Sequence, residues 1–504
     1  MILASMQNTT GLAEQLQQLK ESITFILPEL GLVLAIILLI LFDLIFEKRK
    51  DVGLAAIAFA AITFLLVFQV ITYFPEAQSI SLFEGLVRSS SGASLFKIGF
   101  LMTGLVALMM AVKSKKYATE YFQSSEWLVS LFGLLLGAFL MTMSSNLLMI
   151  YLSVEVVSIC SYLLTGLGKG LKKSEAAIKY LLYGAAASAV MLYGMSWLYG
   201  LTGTLDIASD TFIIGLNAAE PVTLSIAIFM LIVGLLFKLG AFPLHVWSPD
   251  VYESTPLPTV TVFSIVPKLA AVFVLLRLVE LTKTSSFDWT LWLGVLAIGG
   301  MTVGNFSALW QKNAKRMLAY SSIAHAAFML SGILLLNRTG IEATIFYGLI
   351  YLIMNLGAFY LLQLFENELG SCDFEDFKGM GKVLPFTSVL LLIVMVSLTG
   401  LPPTAGFNAK LFLFSGIYEA YSTSNQEILF WVFIIGLLNT AVALFYYIKI
   451  PYFLFFIRTS QTIHTQQEFN WNSVWGTLLV APLFLLFFRS DWFVDLLNSI
   501  NFVF

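Results

Sequence analysis

Apolar runs of about twenty residues alternate with short polar or charged interruptions along nearly the whole chain. A helix crossing about 30 Å of hydrocarbon needs roughly 20 mostly apolar residues. Reading the runs between polar punctuation gives fourteen: 23–46, 52–74, 92–112, 126–144, 147–167, 175–199, 222–246, 258–281, 289–310, 317–336, 341–365, 384–421, 429–456 and 472–488. The pattern predicts an all-α polytopic membrane protein. The twelfth run is too long for one straight crossing and contains Gly400-Leu401-Pro402-Pro403, where proline must break the helix. The seventh carries a similar interruption, Gly240-Ala241-Phe242-Pro243.

Runs 4–8 and 9–13 read as two copies of one five-helix unit. Like groups pair Glu155 with His325, Lys238 with Lys410 and Lys268 with Lys449, which are 170, 172 and 181 positions apart. Five is odd, so the second copy must sit inverted relative to the first. Paired interrupted helices in inverted halves point to a transporter site near the bilayer midplane. Four segments follow: 1–125 with runs 1–3, 126–281 and 282–457 as the two inverted units, and 458–504 with the last run.

Composition agrees with a membrane protein. Of 504 residues, 59% are hydrophobic and 11% charged, against roughly 25% charged in a soluble domain. Mean hydropathy is +0.89. The net charge of −3 and the lack of a basic domain give no footing for nucleic acid. Two cysteines, Cys160 and Cys372, cannot supply the ligands of an iron–sulfur cluster. With three histidines, no metal-ligand spacing and no Gly-x-Gly-x-x-Gly after a strand-like run, no cofactor or metal site is expected in this chain. Residues 1–22 are polar and lack a basic start, so no signal peptide is read there.

Charge placement gives an orientation. With the N-terminus outside, the cytoplasmic loops hold fifteen basic residues: Lys48, Arg49, Lys50, Lys113, Lys115, Lys116, Lys169, Lys172, Lys173, Lys312, Lys315, Arg316, Lys378, Lys382 and Arg458. The other face holds six: Lys20, Arg88, Lys97, Lys283, Arg338 and Arg489. The excess follows the positive-inside rule. An even number of crossings puts both termini outside. Of the six basic residues left inside runs, Lys179, Arg277 and Lys449 lie near the ends, where long side chains reach water.

Lys238, Lys268, Lys410 and Glu155 are deeper. A charge at the bilayer centre costs about 2.5–3.5 kcal/mol. Four cost about 10–14 kcal/mol, comparable with the whole net stability of a typical protein. Such groups need partners, water or a function. Desolvation disfavours an ammonium and a nearby carboxylate favours it, so a buried lysine can take or release a proton as its partner moves. Arginine does not deprotonate. Glu155 and Lys238 form the candidate ion pair, Lys268 and His325 carry the proton onward, and Lys410 hands it to the far side. Static readings compete: a pair that fixes helix register, a Lys268 that satisfies carbonyls freed by Pro267, a packed His325, and a His245 that caps the seventh helix.

The run from Phe237 to Glu253, FKLGAFPLHVWSPDVYE, resembles the seventh-helix signature of the antiporter-like subunits of respiratory complex I. Ser264-Ile265-Val266-Pro267-Lys268, the stretch from Lys315 to His325 and the stretch from Gly400 to Lys410 continue the match in order. Val266-Pro267-Lys268 resembles one branch of that family. Lys410 argues against a second branch, which usually has Glu there, and the end after run fourteen argues against a third with a long lateral helix. The resemblance implies that Glu155, Lys238, Lys268 and Lys410 are proton-channel residues, with His325 at a position that varies between subunits. It also implies that NADH, flavin, iron–sulfur clusters and a quinone belong to other subunits of the complex. Partners would be its other membrane subunits and the lipid bilayer, in a bacterial plasma membrane rather than an organelle. Two alternatives remain: a subunit of an Mrp-type cation/proton antiporter, and a non-conducting membrane scaffold.

Overall fold

The computed structural model describes residues 17, 19–46, 50–74, 79–114, 125–168, 170–457, 471–500 and 502. Lys48, Arg49, Lys115, Lys116, Lys169 and Arg458, six of the basic residues used for orientation, lie outside the described residues, as do residues 1–16. Twelve described helices are long and apolar enough to cross a membrane. The first five are α1 (Leu27–Ile45), α2 (Lys50–Thr72), α3 (Ser91–Lys113), α4 (Glu126–Met143) and α5 (Leu147–Gly166). A hairpin of β1 (Ile80–Leu82) and β2 (Val87–Ser89) joins α2 to α3. Next come α6 (Leu171–Thr202), a short α7 (Asp210–Ala218), α8 (Pro221–Leu239), which is the helical part of the seventh run, and a short α9 (Trp247–Ser254) beyond the end of that run. The chain continues through α10 (Leu257–Thr282), α11 (Trp289–Leu309), α12 (Ala314–Ile333) and α13 (Arg338–Leu369). The twelfth run is α14 (Pro385–Thr399) and α15 (Ala405–Ser424), followed by α16 (Glu427–Tyr447), α17 (Lys449–Phe455), α18 (Trp471–Phe488) and α19 (Ser490–Ser499). The hairpin, α7, α9 and α19 are not in the sequence reading, because three-residue strands and one- to three-turn helices leave no run long enough to register.

Burial sorts the helices. The apolar windows of α1, α2 and α18 are 28% buried, whereas that of α10 is 100% and that of α13 94% buried. Helix α10 is the axle: it packs against α3, α4, α8, α12 and α13. Helix α12 is not apolar enough to count among the twelve spans, and burial explains why. Every one of its residues except Arg316 and Tyr320 is buried, so it meets protein rather than lipid and tolerates serines, a histidine and many alanines.

Both broken helices end in one way. Gly240 (φ 64) and Gly400 (φ 86) take the left-handed conformation. Their amides donate to Phe237 O (3.0 Å) and Ser397 O (3.0 Å), and the next amides, of Ala241 and Leu401, donate to Leu236 O (2.9 Å) and Val396 O (3.2 Å). This glycine-capped ending satisfies carbonyls that the stopped helix would leave bare.

The backbone also sets the register between the two units. The Leu147 amide donates to Leu205 O (2.9 Å) and the Ala314 amide to Cys372 O (2.8 Å), while Ile207 N donates to Ser145 O (3.2 Å) and Phe374 N to Lys312 O (2.9 Å). Each pair is related by a step of 167 residues (147 to 314, 205 to 372). Helices α5 and α12 have 20 residues each, with caps Asn146 and Asn313. Helices α6 and α13 have 32 each, closed by Gly203 and Gly370. At the breaks the step is 160 (240 to 400). These steps correct the pairing read from like side chains. Glu155 corresponds to Ser322, not His325; Lys238 corresponds to Leu398, not Lys410; and Lys449 lies beyond the end of α16. Caps and turns fix register, whereas a lysine can stand at different heights of two related helices.

Close helix contact depends on small residues. A Cβ at Gly304 would meet Ala324 N at 2.8 Å and Tyr320 O at 2.9 Å. Gly304→Leu is expected to push α11 from α12 at a cost of about 1–3 kcal/mol. The check is the thermal midpoint of the detergent-solubilised protein, which should fall; an unchanged midpoint would show that the contact has slack.

Candidate functional site

Lys238 occupies the last turn of α8 and is 1% exposed. Its ammonium lies 5.2 Å from the ring centroid of Tyr162 and 5.5 Å from that of Tyr180. Tyr180 is held in turn by stacking on Trp247 at 4.2 Å, whose indole N–H donates to Phe237 O (3.0 Å). Ring faces stabilise a cation without fixing it as a carboxylate would. The expected direct contact with Glu155 is not formed. Glu155 Oε1 and Lys238 Nζ are both buried without a hydrogen-bond partner. The chain segments meet, but the rings of Tyr162 and Tyr180 supply the ammonium's immediate surroundings.

Lys268, fully buried on α10, sits at the first break. Its ammonium donates to Ser322 Oγ of α12 (2.9 Å), and a Cβ at Gly240 would stand 3.2 Å from it. It therefore bonds a hydroxyl on a neighbouring helix rather than a carbonyl freed by Pro267. Lys410 repeats the arrangement at the second break. Its ammonium donates to Thr399 O (2.7 Å) and lies 4.8 Å from the Phe328 ring centroid. A Cβ at Gly400 would fall 2.6 Å from Lys410 Cδ, a distance that only glycine avoids. Each left-handed glycine thus has a lysine packed against it.

His325 lies between them on α12, 3% exposed. Its Nδ1 is 2.7 Å from the Tyr347 hydroxyl and its Nε2 is 3.0 Å from the Tyr447 hydroxyl. The Tyr447 hydroxyl also makes a short hydrogen bond with Ser321 Oγ. These tyrosines, from α13 and α16, escaped the sequence reading because nothing local distinguishes them from interfacial aromatics.

On the side where α12 begins, a polar cavity of about 480 Å³ opens between the two units. Arg316 bridges Asp250 (2.8 Å) and Glu253 (2.7 Å), and Lys179 reaches Asp250 at 3.2 Å. Deeper in, Lys315 faces Glu366 at 3.7 Å and donates to Thr255 O (3.2 Å). From this mouth, α9 leads inward. Thr255 Oγ1, Tyr252 OH and Ser248 Oγ are buried without hydrogen-bond partners, and they recur at helical spacing on one face. Half-buried His245, expected as a cap, leaves its Nδ1 unbonded near the same break.

Two basic residues lie elsewhere than expected. Lys97 does not reach outer water: it pairs with Glu29 at 2.6 Å, the two side chains 3% and 5% exposed. Its place six residues inside an apolar run was the available signal. Arg277 does not snorkel. It is 1% exposed and donates to Thr142 O (3.0 Å) and Ser144 O, which ties α10 to the end of α4.

The family described as NADH:quinone oxidoreductase/Mrp antiporter, TM, matches residues 144–438. The NADH-quinone oxidoreductase subunit N of Chlorobium chlorochromatii is 36% identical over 444 residues, covering 86% of this chain and 85% of the relative. Subunit N 2 of Chloroherpeton thalassium is 39% identical over 414 residues, covering 80% and 79%. A chain of respiratory complex I from Thermus thermophilus, solved with bound aureothin, superposes with a TM-score of 0.77 at 26% identity, over 94% of this chain and 100% of that one. A chain of the Mrp complex from Dietzia shares the fold, with a TM-score of 0.79 at 18% identity over 95% and 96%. The branch singled out by Val266-Pro267-Lys268 and Lys410 is that of subunit N. The chain belongs to the membrane family of NADH:quinone oxidoreductase and Mrp antiporter subunits, in the branch of NADH-quinone oxidoreductase subunit N.

Proposed function

We propose that this chain carries protons across a bacterial plasma membrane as the subunit N of a proton-translocating NADH-quinone oxidoreductase. NADH, flavin, iron–sulfur clusters and quinone would act in other subunits. The observation that carries the reading is the pair of lysines, Lys268 and Lys410, each packed against the glycine of a helix broken inside the bundle. Irregular backbone at membrane depth is tolerated where protein buries it or where it lines a wet cavity. A titratable group beside such a break can load on one side and unload on the other.

Protons collect at the charged mouth around Asp250 and Lys315 and pass along Thr255, Tyr252 and Ser248. The Tyr252 hydroxyl faces Ser322, which holds the Lys268 ammonium. His325 receives the proton next and Lys410 delivers it towards the far face. Glu155 and Lys238 act as the control. With Lys238 caged by rings and Glu155 unpaired, a change of charge nearby can draw the carboxylate towards or away from the ammonium. The segments 126–281 and 282–457 are the two inverted units. Both termini face outwards, with the charged mouth cytoplasmic.

The test is NADH-driven proton uptake by inverted membrane vesicles, scored only for variants that assemble. Lys238→Ala and Lys410→Ala are expected to lose uptake about tenfold or more, since positioned acid–base groups contribute about 10²–10⁴-fold. Lys238→Arg should recover only part, because arginine keeps its proton. Full uptake in both alanine variants would leave the chain as a scaffold. Tyr252→Phe keeps the buried ring and removes one hydroxyl from the uptake face. It should slow uptake several-fold, about the effect of one lost relay hydrogen bond at about 1 kcal/mol; parental rates would place the inward path elsewhere.

A further inference from the structure

His325 has a polar partner at each ring nitrogen, and both partners are hydroxyls. A histidine that only packs is satisfied by a carbonyl on its N–H and any donor on its other nitrogen. A hydroxyl differs from a carbonyl or an amide because it can donate or accept. Neutral imidazole carries one donor and one acceptor, and the hydrogen bond at one nitrogen sets the role of the other. With Tyr347 at Nδ1 and Tyr447 at Nε2, both tautomers can be satisfied without moving a helix.

The two tyrosines also approach from opposite faces of the membrane. Tyr447 ends α16, and Lys449 just beyond it bonds Leu309 O near the start of α12. Tyr347 lies in the first half of α13, which begins where α12 ends. The end of α16 is anchored. Tyr446 donates to Asn305 Oδ1 (2.9 Å), and Asn305 Nδ2 donates to Asn439 Oδ1 (3.0 Å). All three positions are buried, so the Tyr447 hydroxyl is held in place.

We infer that Tyr447 and Tyr347 are relay residues, and that His325 passes protons between them by exchanging tautomers. The inference rests on the translocation reading above. The Ser321 oxygen takes a proton released on the Lys268 side of the path as its own hydroxyl proton passes to the Tyr447 oxygen and Tyr447 gives its own to Nε2. Nδ1 then releases its proton to the Tyr347 oxygen, whose hydroxyl proton moves on towards Lys410, the next acceptor of the path. One proton arrives, one leaves, and only O–H and N–H bonds are exchanged. Rotation of the imidazole and of the three hydroxyls restores the starting donors.

The experiment uses the assembled complex in inverted vesicles carrying Tyr447→Phe or Tyr347→Phe, with Tyr199→Phe on the exposed surface as control. Phenylalanine keeps the rings and removes only the hydroxyls. NADH-driven proton uptake should fall about tenfold in each relay variant, with a larger solvent deuterium isotope effect, and stay parental in the control. Parental uptake in both relay variants, or a loss with an unchanged isotope effect, overturns the relay. Should the phenylalanine variants not assemble, Ser321→Ala removes the other partner of Tyr447 without touching a ring. It should lower uptake several-fold, and parental uptake there also overturns the relay. Lys410→Ala run in parallel separates the two readings: its loss beside parental tyrosine variants removes the relay alone, and its parental uptake removes translocation as well.

Discussion

A helix that stops inside a bilayer has no water to finish its hydrogen bonds, and each unsatisfied group there costs several kcal/mol. The organisation of this bundle follows from meeting that demand twice, at Gly240 and Gly400. Left-handed glycines close the last turns. A lysine then lies against each glycine, and at the second break its ammonium goes directly to a helix-end carbonyl, Thr399 O. The glycine and the lysine at each break are buried, whereas Pro243 and Leu401–Pro403 just beyond them are exposed. The contacts of the two lysines with Ser322 and Phe328 both come from α12, which can be rich in alanine and serine because it meets protein on almost every side.

The buried cations divide into two kinds. Arg277 is held by two carbonyls and lies 5.3 Å from the Phe273 ring centroid. A guanidinium so placed stays charged and pins α10 to α4. The lysines have softer surroundings: rings for Lys238, one hydroxyl for Lys268, one carbonyl and a ring for Lys410. None of the three is locked to a carboxylate, in contrast with Lys97, which is paired to Glu29. The Lys97–Glu29 pair joins α1 to α3, whereas the soft sites leave each ammonium without a fixed carboxylate partner.

The spans, both breaks and the burial of Lys238, Lys268, His325 and Lys410 were legible because length, proline and isolated charges in apolar runs act locally. What was hidden depends on direction in space. Whether Lys97 and Arg277 reach water turns on which neighbour faces them, and hydropathy does not carry that. The contact between Glu155 and Lys238 was inferred from opposite charge, yet Tyr162 and Tyr180 fill the space around the ammonium. The register of the repeat was misread for a related reason. Side-chain chemistry drifts along a helix between copies, while the caps Asn146 and Asn313 and the glycines at 203, 370, 240 and 400 keep the backbone in step.

The corrected register makes the two units chemically unequal. Where the first has the carboxylate of Glu155, the second has the hydroxyl of Ser322, and that hydroxyl holds the lysine of the first break. A carboxylate in the second unit would pair with Lys268 and hold it charged. A hydroxyl lets the ammonium be held or released at little electrostatic cost. The carboxylate of this pair of positions thus belongs to the first unit. Around His325 the second unit supplies Ser321, Ser322, Tyr347 and Tyr447, hydroxyls that can hold an ammonium or an imidazole by hydrogen bonds without forming an ion pair with it.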